Sequence, residues 1–148
     1  MDRTIGRMIT LLARKSQTYL AGALSKYDLT AAEQPFFMAI QNHKGATQEE
    51  LTEIVCVDKA ATARAVKSLE NKGFLIRVQD EKDRRQNRVY PTEKARQMAD
   101  TVKGELLCFD DHLTRGIDPQ SLELVYQALL KMEENFNDIS GGSYVTNA

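Results

Sequence analysis

The chain has 148 residues, a length suited to one domain, and no apolar run in it approaches a signal sequence or a membrane span, which excludes a membrane protein and points to the cytoplasm. Two cysteines, Cys56 and Cys108, without CxxC spacing, exclude a disulfide scaffold and read as reduced thiols. A net charge of −1 argues by itself against a nucleic-acid binder, but the charge is unevenly spread: residues 57–92 carry nine basic and five acidic side chains, and residues 93–148 carry five and ten.

Ile5, Ile9, Leu12, Tyr19, Leu20 and Leu24 recur at helical steps, which predicts an amphipathic helix over 3–25. In "LTAAEQPFFMAI", Thr30 and Glu33 have the T-x-x-E spacing of a capping box, so a second helix is expected to begin there. Pro35 then falls past the first turn, where it removes an amide and should distort the start. Thr47 and Glu50 repeat the box for a short third helix ending near Val55. Cys56 and Val57 form a tight turn, and Asp58 caps a fourth helix with Thr62, Ala65, Val66 and Leu69 on its inner face. Gly73 supplies the left-handed stop, with Phe74 placed against Leu69. Two helices joined this tightly make a helix-turn-helix.

"LIRVQ" and "RVYP" read as two short strands, and the charged segment from Asp80 to Asn87 is the tip of the hairpin between them. From Thr92, the positions Ala95, Met98, Val102, Leu106, Phe109 and Leu113 mark a long fifth helix. "GIDPQ" ends it, with Asp118 and Pro119 starting a sixth helix whose Leu122, Val125, Leu129, Met132 and Phe136 share a face. The fold expected is mainly α with a small β-hairpin: a winged helix-turn-helix over 30–92, flanked by helical dimerisation parts at 1–28 and 93–138, with a loose tail over 139–148. Ile5, Ile9, Leu12, Phe109, Leu113, Leu122, Leu129 and Phe136 are the interface candidates, because a chain this short has too little body to cover those apolar stripes.

With these segments in this order and spacing, the chain resembles the MarR family of bacterial transcription regulators over nearly its whole length. The resemblance is carried by "LTAAEQPFFMAI", "TQEELTEIVCVDKAATARAVKSLENKGFLIR" and "DRRQNRVYPT", the last being similar to the family's D-x-R wing. It implies a homodimer on double-stranded DNA with a palindromic operator, most often as a repressor released by a small apolar or aromatic effector, without a cofactor. Thr47 and Gln48 at the start of the third helix join the expected DNA contacts. On the fourth helix, Lys59, Ala60, Ala63, Arg64 and Lys67 face outward for a major groove, where Arg64 has the fork to bond guanine or a phosphate. Arg84 and Arg85 stand at the wing tip; by resemblance Arg85 is the residue inserted into a minor groove and Asp83 its support.

Other readings of the same residues stand beside this one. The "DEKDRR" run can be a solvated turn. Cys56 reads as a small, semi-buried side chain before it reads as a redox sensor, since the family's peroxide sensors carry their cysteine in the first helix, where this chain has none. "DDH" at 110–112 holds metal-competent groups, but they point in different directions around a helix, so no metal site is expected. Tyr19, Phe36 and Met38 are candidates for an effector pocket and equally for core. With two histidines and no phosphate loop, HExxH or GxSxG, no enzyme is expected. The remaining rival is a winged helix that docks a protein, because fold does not set function.

Overall fold

The computed structural model describes residues 3–140. These fall into two compact units, one running through Phe109 and the other beginning at Asp110. In the first unit, α1 spans Ile5–Leu24, with Thr4 accepting from the Arg7 amide at its start. Only its C-terminal end reaches the core, through Leu20 and Leu24. A 3₁₀ turn, Ser25–Tyr27, closes on Asp28 in the left-handed region.

The second helix starts later than its capping box. Thr30 and Glu33 make both reciprocal bonds, but residues 31–33 form a turn and α2 spans Gln34–Asn42, which puts Pro35 inside its first turn. The reason is the missing amide: with no N–H at Pro35 the α-ladder cannot run through from Thr30, so turn and helix are separate pieces. The strand β1, Ala46–Thr47, follows and was not expected. It pairs with β3, Asn87–Pro91, which pairs in turn with β2, Leu75–Gln79, giving an antiparallel sheet in the order β1-β3-β2. Gly45 enters β1 at φ +83, and a Cβ there would lie 3.0 Å from the Tyr90 hydroxyl, so both backbone and space demand glycine.

The capping box at Thr47 and Glu50 starts α3, Gln48–Val55. Asp58 accepts from the Ala61 amide and starts α4, Lys59–Asn71. The inner face of α4 is as its periodicity predicts, with Thr62, Ala65, Val66 and Leu69 buried. Burying side chains the size of Val66 and Leu69 contributes roughly 1.5–3 kcal/mol each. Thr62 is satisfied in the core: the Thr52 hydroxyl bonds it at 2.8 Å, and it donates to the Asp58 carbonyl at 3.0 Å, pinning α3 to α4. At the end of α4, the amides of Gly73 and Phe74 donate to the carbonyls of Glu70 and Leu69, the two bonds of a Schellman ending. Thr92 then caps α5, Glu93–Thr114, which packs Ala95 and Val102 into the core. Hydrogen bonds from Lys26 and Tyr27 to Glu105 hold that carboxyl below its usual range and fasten α5 to the 3₁₀ turn.

In the second unit, Asp118 accepts from the Ser121 amide and α6 spans Pro119–Ser140. Its apolar residues are not confined to one stripe, since Leu124 and Tyr126 are exposed as well as Val125 and Leu129. The expected tail over 139–148 lies, from 141 on, outside the described residues. No helix among the described residues is long and apolar enough to cross a membrane.

One buried charge cluster joins the turn before α2 to the end of α4. The side chain of Glu33, 6% exposed, accepts from the Thr30 amide, the Ser68 hydroxyl and the Lys72 ammonium, the last at 2.8 Å. Burial would push this carboxyl up, but the bonds from Lys72, Ser68 and Thr30 outweigh it and hold the group below its usual range. A carboxyl depressed on folding contributes stability that is present above its unfolded value, about 4.3, and lost as pH falls through the folded value. Glu33→Gln is therefore expected to cost roughly 1.5–3 kcal/mol at neutral pH. Thermal melts of the two proteins should converge in acid; parallel melting curves down to the acid limit would refute the role given to this carboxylate.

Candidate nucleic-acid interface

The outward face of α4 carries Lys59, Ala60, Ala63, Arg64 and Lys67, all exposed. The helix presents them because its opposite face is taken by Val66 and Leu69, so the burial that orients α4 also orients its cations. An open cleft of about 770 Å³ gathers Gln48 of α3, Ala63, Arg64 and Lys67 of α4, and Arg77 of β2 on one surface. Thr47, expected among the contacts, is buried instead: its hydroxyl accepts from the Glu50 amide and its backbone pairs in β1, so its part is to set where α3 begins.

Arg77 is the side chain that reading the sequence missed. Leu75 on the same strand is buried, and period two puts Arg77 on the Leu75 side. That alternation was the available signal, and it was obscured because Arg77 sits inside an apolar strand rather than in the charged run.

At the wing, the backbone closes through Asp80 N–H to Gln86 O at 2.9 Å and Gln86 N–H to Asp83 O at 3.0 Å. Gln79 adds a side-chain bond to Arg84 O at 2.8 Å. Two of the tip's three acidic residues are engaged by the hairpin itself, while Glu81 is exposed: Asp80 pairs with Arg88, whose guanidinium also donates to Gly45 O. Asp83 Oδ1 accepts from both the amide and Nε of Arg85, at 3.1 and 3.2 Å. Lys82, Arg84 and Arg85 are left outward, the Arg85 side chain 91% exposed. With Asp80 and Asp83 engaged within the hairpin, the three outward cations face only Glu81 among outward acids, so the tip is positive even though its composition is mixed.

A second cleft of about 450 Å³ is lined by Gln17, Pro35, Phe36, Val55, Val57 and Ala65 among others, and it shares Arg64 with the first. Of the effector candidates, Phe36 lines it. Tyr19 does not; its ring lies 5.4 Å from that of Phe109. Met38 packs on the core, the ordinary fate of an apolar residue at helical spacing. Cys56 caps α3 in the left-handed conformation at φ 57 and is exposed rather than semi-buried, its thiol donating to the Glu53 carbonyl at 3.3 Å.

Among the interface candidates, Ile5, Ile9 and Leu12 of α1 are exposed, as are Leu113 of α5 and Leu129 and Phe136 of α6. Leu122 is half-buried. Phe109 packs against its own chain's core.

A family model described as the MarR family matches residues 29–86. The uncharacterised HTH-type transcriptional regulator YybA of Bacillus subtilis is 26% identical over 129 residues, covering 87% of this chain and 86% of that one. A MarR transcriptional regulator from Methanosarcina mazei has a solved structure that is 32% identical, with a TM-score of 0.85 over 91% of this chain and 97% of its own. A MarR family regulator from Listeria monocytogenes, solved in complex with a 26mer DNA, shares the fold at a TM-score of 0.86 and 23% identity, over 98% and 99% of the two chains.

Proposed function

We propose that this chain, which belongs to the MarR family of transcriptional regulators, binds double-stranded DNA sequence-specifically as a homodimer and represses transcription until a small apolar or aromatic molecule releases it. The observation that carries the reading is the surface joining Gln48, Arg64, Lys67 and Arg77, on a helix-turn-helix whose wing ends in outward arginines. A phosphate backbone needs such a concentration of cations, which favours DNA over a docked protein as the partner of this surface. The exposed apolar faces of α1 and α6 support self-association, since a second copy would remove them from water. The shared position of Arg64 supports effector release: a molecule in the smaller cleft would touch the same side chain that faces the larger one. The test is selection of bound sequences from random duplex DNA. A palindromic consensus is expected, because a two-fold dimer reads two inverted half-sites. Recovery of no consensus would remove sequence-specific binding.

A further inference from the structure

Glu70 is out of place. It follows Ala63 by seven residues and Lys67 by three, so it continues the outward stripe of α4 toward the cleft. It is the only carboxylate among the described residues lining a cleft that holds three cations, Arg64, Lys67 and Arg77. An acid there opposes any polyanion, unless its position has a purpose.

Its neighbour supplies one. Nε of Arg77 lies 3.0 Å from Glu70 Oε2, the two side chains being 27% and 33% exposed. The same Nε is nonetheless buried without a hydrogen-bond partner. Distance satisfies an ion pair while direction fails a hydrogen bond, so the attraction is one of charge and the donor remains unsatisfied. A partly exposed pair of this kind contributes little, with a median below about 1 kcal/mol, and is easily exchanged.

We propose that Arg77 contacts a DNA backbone phosphate and that Glu70 is its built-in competitor. This rests on the DNA-binding reading and adds to it a residue and a control. In the free protein Glu70 masks Arg77; on a duplex seated in register, a phosphate oxygen takes the guanidinium. A duplex out of register meets the carboxylate with its cation already engaged. Glu70 thereby lowers affinity for arbitrary DNA more than for a correctly seated site.

The test is a titration of a random-sequence duplex at 50 and 200 mM salt with full-length wild type, Glu70→Gln, Arg77→Gln and the double variant. Glu70→Gln should bind several-fold tighter at the lower salt. Its log-log salt slope should steepen by up to about 0.9 per protomer, a further loss between the two salts of up to about 3.5-fold for one protomer and about twelvefold for a dimer. Arg77→Gln should bind more weakly, and Glu70→Gln in that background should give no gain. Arg77→Lys keeps the charge without the fork; the gain from Glu70→Gln should survive in that background, which guards against a folding defect in Arg77→Gln. Equal gains from Glu70→Gln with and without a cation at position 77 would mean that only the overall charge matters, and would overturn the proposal. So would the absence of any gain. A wild type that binds no duplex at either salt would defeat the DNA-binding reading itself, an outcome distinct from a binding wild type with a flat Glu70 response.

Discussion

Arg85→Ala is expected to weaken binding to nearly every duplex by about ten- to hundredfold per protomer while leaving the preferred sequence unchanged, and Arg64→Ala is expected to change that sequence. The difference follows from what each side chain can reach. Arg85 stands at the wing tip, 91% exposed and held out by Asp83. In a minor groove it meets acceptors shared by A·T and T·A pairs, so its loss removes a charged hydrogen bond worth roughly 1.5–3 kcal/mol without removing information about base order. The salt slope should fall by about 0.9 for each phosphate charge no longer neutralised. Arg64 faces outward on α4, where a bidentate bond to guanine would carry roughly 1–3 kcal/mol of discrimination at one position of each half-site. Asp83→Ala should resemble a milder Arg85→Ala, because it releases the guanidinium without deleting it. Titrations against a selected site and a flank-swapped duplex check all three. Wild-type affinity in Arg85→Ala would reduce the wing to a solvated turn.

Phe74→Ala is expected to cost roughly 3–5 kcal/mol, a large share of the stability of a domain this size. Phe74 is 2% exposed and meets Phe37 edge to face at 5.5 Å, with the Lys94 ammonium 4.5 Å from its ring centre. Its amide closes α4 and its carbonyl accepts from Thr92, so one residue joins α4, β2 and the start of α5. Removing the ring leaves a cavity where three elements meet. Urea unfolding measures the loss. Phe74→Leu should cost less, since the site keeps an apolar side chain of nearer volume; a cost below 1 kcal/mol for the alanine variant would show that the junction repacks.

What could be read from the residues and what could not divide by sequence separation. Both capping boxes, the Schellman ending at Gly73 and the Asp118 cap are written within a few neighbouring positions, and each was legible. The two-residue strand β1 was not, because Ala46 has no periodicity of its own and becomes a strand only by pairing with Val89. The same holds for Glu33 with Lys72 and for Glu70 with Arg77, where charges were visible but partners were not. Pro35 was misplaced by one turn because a capping box announces a turn and leaves open whether a helix continues from it. Thr47 shows the related confusion of a polar residue at the right address with a polar residue facing the right way.

The smallest element of the sheet has a consequence for which sites a DNA-bound protomer, as proposed, can tolerate. Thr47 is at once the last residue of β1, paired with Arg88 of the wing, and the residue that starts α3. The wing and the helix-turn-helix are thus spliced at the backbone, with no loop between them to act as a pivot. For a duplex bound as proposed, the reach from the bases under α4 to the flank under the wing is a fixed length, like the gap between two teeth of a gauge. Such sites can drift in letters and still bind, each change having its own cost. An inserted or deleted base pair between core and flank puts every later contact out of phase, so spacing within a half-site should be the slower of the two to change in evolution.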